Sequence, residues 1–179
     1  GTMMWIGSLA IIGFPFFSGY YSKESILENA YFVSSNMGLY AYTVGIITAF
    51  LTAFYSWRLL FMTFHGSTRA SNDIFNKAHE SPIVMTAPLA FLAVGSIFSG
   101  VFLSDYFIGS KENDFWFVSL ILSHNDHHLP FLQTLIIKLS VGFGILSAAL
   151  VYFYRKELAS TLAHNMSILH SLSYNKWHV

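Results

Sequence analysis

The sequence contains no cysteine in its 179 residues. This absence excludes disulfide bonds, thiolate zinc sites and iron–sulfur clusters held by this chain. Charged residues are also scarce, at 10% of the chain. Soluble domains contain roughly 25%, so this chain has too few charges to form a hydrated surface around itself. The charges of its nine basic and nine acidic residues cancel. The chain thus lacks the excess of positive charge that would indicate a nucleic-acid partner.

Hydrophobic residues, by contrast, make up 54% of the chain, and the mean hydropathy is +0.53. Their distribution predicts an all-α polytopic membrane protein, a single membrane domain over 1–179 with about four transmembrane segments. The predicted segments are 3–34, 39–64, 82–103 and 132–154, with 155–179 as a tail. The chain begins with glycine, and no basic region precedes the first apolar run. This argues against a signal peptide and suggests a fragment or one piece of a divided subunit.

The first predicted segment is too long for one straight span. Its 32 residues would form a helix of about 48 Å, whereas the hydrocarbon core is about 30 Å thick. Pro15 removes a backbone donor and clashes with the preceding turn, and Gly13 and Gly19 weaken the helix on both sides. The sequence therefore predicts a helix broken near Pro15, over about 14–18.

A charged pair, Lys23 and Glu24, lies within this apolar region. No Asp, Glu, Lys or Arg occurs in 3–22 or 29–57. In a helix that runs to about Ser34, Lys23 lies roughly 16 Å from the end, near the middle of the membrane. A charge there costs at least ~2.5 kcal/mol, so Lys23 is a candidate functional residue for proton or cation transport. Alternatively, 3–22 completes a span by itself and Lys23 extends to the interface at its end.

In the first interpretation, Lys23 and Glu24 transfer protons. Burial disfavours the charged form of a lysine, so that it can bind and release a proton near neutral pH. Glu24 would tune this affinity or pass the proton on, and Glu28 lies one turn further on the same face as Glu24.

Three other groups of polar residues are candidates with a competing structural interpretation. Arg58, at the end of the second segment, is a possible secondary site residue, although an anchor at the membrane interface is the favoured interpretation. His79 and Glu80 could couple to a proton path, although capping of the third segment is more common. The loop residues His124, His127 and His128 resemble a loose metal cluster without a helical frame, and no metal site is predicted.

The basic residues predict an orientation. Most of them lie on the side that holds the end of the second segment and the tail; these are Arg58, Arg69, Lys77, Arg155, Lys156 and Lys176. The positive-inside rule places this side in the cytoplasm or matrix. The first segment then runs from inside to outside.

The run from Gly7 to Glu28, with Gly13-Phe14-Pro15 and Lys23-Glu24 within it, closely resembles the antiporter-like subunits of respiratory complex I. Two later runs, from Thr52 to Arg58 and from Ala78 to Pro82, are similar to the NADH dehydrogenase subunit 5 family in particular. The resemblance covers nearly the whole chain. It implies the C-terminal third of a distal antiporter-like subunit.

The resemblance also implies roles for individual residues. The broken helix would belong to the second of two inverted half-channels, with Pro15 at the break. Lys23 matches the charged residue of the outward-facing proton path, and Glu24 matches the acid beside it. Many relatives have a second proline directly after the one that matches Pro15, at the position where Phe16 stands here.

Further expectations concern the assembly. The chain would bind no cofactor itself, with FMN, iron–sulfur clusters and quinone in other subunits. Its partners would be the lipid bilayer and other membrane-arm subunits, including the N-terminal part of subunit 5 and the adjacent antiporter-like subunit. The mitochondrial inner membrane is the expected location, with a bacterial plasma membrane as the alternative.

The expected function is proton translocation in an NADH:ubiquinone oxidoreductase, without redox catalysis in this chain. Two alternatives remain open. The first is the large subunit of a multi-subunit cation/proton antiporter, which resembles the same stretch. The second is a structural piece that supports its neighbours and pumps nothing.

Overall fold

A computed structural model describes residues 1–33, 35–66, 71, 81–107 and 130–154, together with the single positions 161, 165 and 171. The main elements of these residues are all helical, which confirms the predicted all-α class. In chain order they are α1 (Thr2–Ile12), α2 (Ser18–Phe32), α3 (Asn36–Phe64), α4 (Ile83–Phe107) and α5 (Phe131–Ala149), the last continued by a π-helical turn (Leu150–Tyr154).

Three of these helices are long and apolar enough to cross a membrane: α3, α4, and α5 with its π-helical turn. The shorter α1 is apolar as well. Large apolar side chains lie on the outside of the helices, as Ile83 (81% exposed) and Phe91 (80% exposed) show on α4. Such surfaces suit lipid or protein neighbours rather than water. The chain is a multi-pass membrane protein.

The first segment is broken, as the sequence predicts. The α1 helix closes with a Schellman motif, in which Gly13 N–H donates to the Ala10 carbonyl (3.2 Å) and Phe14 N–H donates to the Leu9 carbonyl (3.1 Å). Gly13 has a φ of +77°, a left-handed conformation that favours glycine. Pro15 follows and cannot continue the helix. The non-helical stretch is short, so that α2 begins soon after α1 ends.

The broken helix runs antiparallel to α3. Near one end of α3, the ring of Trp5 in α1 lies 5.3 Å from the ring of Trp57. Near the other end, the ring of Tyr31 in α2 lies 5.2 Å from that of Tyr42. Both α1 and α2 also contact α4. The two halves of the broken helix are therefore held between α3 and α4.

The most extensive interface joins α3 to α5, which run parallel. At their first turns, the Tyr42 hydroxyl donates a hydrogen bond of 2.8 Å to Gln133 Oε1. At their last turns, the rings of Phe61 and Phe153 lie 5.6 Å apart. Between these points the helices approach closely at Gly144, where a Cβ atom would lie 2.6 Å from the Phe50 carbonyl oxygen.

Two helix boundaries differ by three or more residues from those predicted. Helix α3 begins at Asn36, three residues before the predicted 39, because the Ser35 side chain accepts a hydrogen bond of 3.1 Å from Gly38 N–H. This N-cap draws a sequence that resembles a turn into the first turn of the helix. Helix α4 continues to Phe107 rather than ending at 103.

Candidate functional site

A cavity of about 270 Å³ lies beside the break in the first segment. Its walls come from the end of α1, the break itself, the first half of α2, the middle of α3 and the first two-thirds of α5. All four residues that the sequence places at the centre of the site line it: Gly13, Pro15, Lys23 and Glu24. The remaining walls are largely apolar.

Lys23 reaches towards the break. A Cβ atom at Gly13 would lie 3.3 Å from Lys23 Cδ, so the stem of the lysine runs directly past this glycine. Lys23 Nζ is buried and has no hydrogen-bond partner in the part of the chain that the structure describes. Because Gly13 closes α1, the side chain lies against a helix C-terminus, where the backbone carbonyls carry partial negative charge.

The cavity lies at the middle of the long helices. Ala49, which lines it, is one residue from the midpoint of α3 (Asn36–Phe64). Val141 and Gly142 also line it and lie near the midpoint of the apolar stretch Phe131–Tyr154. Lys23 therefore opens onto a space that is about equally far from both ends of these helices.

Two further ionisable groups line the cavity, Tyr20 on α2 and Lys138 on α5. Lys138 Nζ lies 5.5 Å from the centre of the Tyr20 ring. Glu24 follows Tyr20 by about one turn on the same face of α2. The site thus contains two lysines, a carboxylate and a phenol, contributed by two helices.

The sequence contains signals for these two residues that its interpretation missed. Tyr20 lies four residues before Glu24, which places the two side chains on one helix face. Lys138 is the one charged residue in the apolar segment 132–154, which marks it as a candidate in the same way as Lys23. Both signals are local, whereas the meeting of Tyr20 with Lys138 depends on the packing of α5.

The break contains one unusual backbone position. Phe16 has a φ of +76°, the left-handed region that a phenylalanine rarely adopts. Proline is limited to a φ near about −65°, so the second proline of many relatives would not fit this conformation. The departure at Phe16 therefore affects the backbone of the break.

The secondary candidates lie elsewhere. Glu28 is half-buried on α2 and is not among the described residues that line the cavity. Arg58 is exposed near the end of α3, with its guanidinium 5.3 Å from the centre of the Tyr152 ring. This cation–π contact agrees with an anchoring role. His79 and Glu80 lie outside the described residues, as do the loop histidines His124, His127 and His128.

Comparison with known proteins gives consistent results. Residues 55–178 match the family model described as NADH dehydrogenase subunit 5 C-terminus. The chain is 42% identical over 159 residues to NADH-ubiquinone oxidoreductase chain 5 of Phytophthora infestans, covering 86% of this chain and 24% of that protein. It is 34% identical over 197 aligned residues to the protein of the same name in Chondrus crispus, covering 99% of this chain and 28% of that protein.

A bacterial relative is similar to the same extent. NADH-quinone oxidoreductase subunit L of Rickettsia bellii (strain RML369-C) is 40% identical over 163 residues, covering 86% of this chain and 24% of that protein. The chain spans about a quarter of the length of the curated relatives that it matches.

Proposed function

The chain belongs to the NADH dehydrogenase subunit 5 family, and we propose that it forms part of the proton-translocating membrane arm of an NADH:ubiquinone oxidoreductase. In this assembly Lys23 binds and releases a proton in the outward half of the path. Glu24, the neighbouring acid, sets the charge around it. The names of the relatives support the oxidoreductase, and the geometry of the cavity supports the lysine.

The observation that carries the proposal is the position of Lys23 Nζ. It is buried, it lacks a hydrogen-bond partner among the described residues, and it adjoins a cavity level with the middle of α3. An ionisable group at such a depth is energetically costly, so its presence indicates a functional site. Broken helices line ion sites in membrane transporters because their ends present backbone charge at the midplane.

The proposed mechanism uses this backbone charge. The end of α1 stabilises the Lys23 ammonium group, because the last carbonyls of a helix favour a nearby cation. Quinone reduction elsewhere in the complex shifts the charge along the membrane arm. When the surroundings of Lys23 become less favourable to a cation, Lys23 releases its proton outward.

The proposal assigns the redox chemistry to other subunits, which hold the FMN, iron–sulfur clusters and quinone. The absence of cysteine supports this division, since iron–sulfur clusters are held by cysteine thiolates. The partners are lipid, the N-terminal part of subunit 5 and the adjacent antiporter-like subunit. The assembly resides in the mitochondrial inner membrane, or in a bacterial plasma membrane if the source is bacterial.

The test is Lys23→Ala in the intact complex. We expect a several-fold lower rate of proton pumping and of coupled quinone reduction, because the group that carries the proton is lost. Assembly should remain intact, since no hydrogen bond of Lys23 Nζ to the described residues is lost. Pumping is measured in reconstituted vesicles and assembly by native electrophoresis.

The matched control is Ser22→Ala, which changes the exposed neighbouring residue on the same helix. It should leave both rates unchanged. Normal pumping by an assembled Lys23→Ala complex would rule out the proposed role of Lys23.

A further inference from the structure

Lys23 and Glu24 are neighbours in the chain, yet they interact with different groups. Successive residues on a helix point in directions about 100° apart, so the two side chains do not face each other. Lys23 runs towards Gly13, whereas Glu24 shares a face of α2 with Tyr20, one turn earlier. A carboxylate next to a buried lysine would ordinarily be its first ionic partner.

Lys138 supplies positive charge on the Glu24 side of the cavity. It belongs to α5, which is held in place by its long interface with α3. Its ammonium group lies 5.5 Å from the centre of the Tyr20 ring. A tyrosine hydroxyl can accept a hydrogen bond from an ammonium group while donating its own proton to a carboxylate. Tyr20 thus links Lys138 to Glu24.

We propose that Lys138 is a positioning residue for proton release, a fixed cation that engages Glu24 through the Tyr20 hydroxyl and so leaves Lys23 without a carboxylate partner. The inference rests on the proposed function of Lys23 and extends it to a second helix. Lys138 acts only through its charge. Its role is to determine which of the two lysines, Lys23 or Lys138, pairs with the Glu24 carboxylate.

The consequence for Lys23 is electrostatic. An ammonium group paired with a carboxylate holds its proton more tightly than an unpaired one. With Glu24 engaged by Tyr20 and Lys138, Lys23 passes its proton to a water molecule in the cavity and becomes a neutral amine. Without Lys138, the negative charge of Glu24 is no longer offset on its own side of the cavity. It then favours the nearby Lys23 ammonium group, and release of this proton becomes less favourable.

The experiment compares three variants in the intact complex: Lys138→Gln, Lys138→Arg and Tyr20→Phe. Lys138 is exposed, and we expect Lys138→Gln to lower the pumping rate roughly two- to fivefold, the range for the loss of one partner of an exposed charged pair. Lys138→Arg should retain most of the rate, because arginine supplies the same charge without releasing a proton. Tyr20→Phe keeps the ring and removes the hydroxyl, so it should reduce the rate as Lys138→Gln does.

A double variant tests the link. Because both changes interrupt the same chain of contacts, Lys138→Gln with Tyr20→Phe should be little worse than either alone. If Lys138→Gln does not assemble, Tyr20→Phe alone decides, since it preserves the packing of the ring. An unchanged rate in Tyr20→Phe then overturns the inference.

Other outcomes overturn it as clearly. A Lys138→Arg complex as slow as Lys138→Gln would mean that Lys138 must itself lose a proton. Additive losses in the double variant would mean that Tyr20 and Lys138 act separately. Lys23→Ala, measured in parallel, separates the two proposals. If it slows pumping while Lys138→Gln does not, only the role of Lys138 fails; if it does not slow pumping, the proposed function fails.

Discussion

The geometry of the site depends on the backbone at one residue, Gly13. Its left-handed conformation ends α1, and its lack of a side chain lets Lys23 pass beside it. Gly13 therefore has two effects. It ends α1, which creates a helix C-terminus that favours a cation, and it leaves the space through which the Lys23 side chain reaches this terminus. These two effects can be tested together, since any side chain at this position opposes both.

We expect Gly13→Ala to destabilise the subunit by about 1 kcal/mol, the usual cost of a left-handed backbone for a residue with a Cβ atom. It should also slow pumping, because the new Cβ would lie 3.3 Å from Lys23 Cδ and displace the lysine. Gly7→Ala on the same helix is the control, since a Cβ there would meet nothing within 4 Å. The thermal stability and the pumping rate of the purified complex are measured. Equal results for the two variants would contradict the prediction.

At this scale the sequence predicts the components of the site better than their connections. Pro15 and Gly13 are recognisable as helix breakers, and Lys23 and Glu24 as charges in an apolar segment, because these properties are local. The partner of Tyr20 is not local, because Lys138 lies 118 residues further along the chain. Only the packing of α5 on α3 brings them together.

At the scale of helices, the interface between α3 and α5 determines the distance across the cavity. Gly144 lies against the backbone of α3, where a Cβ atom would be 2.6 Å from the Phe50 carbonyl oxygen and 2.8 Å from Ala53 Cβ. Ala53 and Ala148 are fully buried at 0% exposure. Such small residues allow the close approach that stabilises helices in a membrane.

Gly144→Ala should therefore force α3 and α5 apart. We expect a loss of about 1–3 kcal/mol in stability, the usual cost of overpacking. A lower yield of assembled complex and a lower melting temperature would show this effect. Gly142→Ala is the control on the same helix, because a Cβ there would meet nothing within 4 Å. If Gly142→Ala reduces assembly as much as Gly144→Ala, close packing at Gly144 is not the cause.

The helices themselves are largely predictable, but their partners are not. Long apolar runs identify a membrane helix by length and composition. Helices that are apolar on every side give no periodic signal of which face meets a neighbour. The small residues around Gly144 therefore indicate a close contact without indicating that α3 makes it. The start of α3 at Asn36 is also not predicted, because it depends on the N-cap hydrogen bond of Ser35 rather than on an apolar run.

At the scale of the whole molecule, the chain has two ends of different character. The start of α1 and the end of α3 meet at one end, where Trp5 lies against Trp57. Arg58 lies near this end, on the side to which the sequence assigns most basic residues. The antiparallel arrangement of α2 and α3 places the turn at Ser35 at the opposite end. The positive-inside rule assigns the first end to the matrix or cytoplasm.

This orientation can be tested because the chain has no cysteine of its own to react. Cysteine is introduced singly, as Asn36→Cys at the start of α3 or as Ser71→Cys in the hydrophilic stretch beyond its end; both positions are exposed. In intact inner-membrane vesicles with the outer face exposed, an impermeant maleimide should label Asn36→Cys. Ser71→Cys should react only after permeabilisation, and mass spectrometry identifies each labelled site. The reverse pattern would mean that the start of α3 faces the inside. The broken helix would then run from outside to inside, with α2 and Lys23 on the inner side of the break. Proton release from Lys23 could then not be outward.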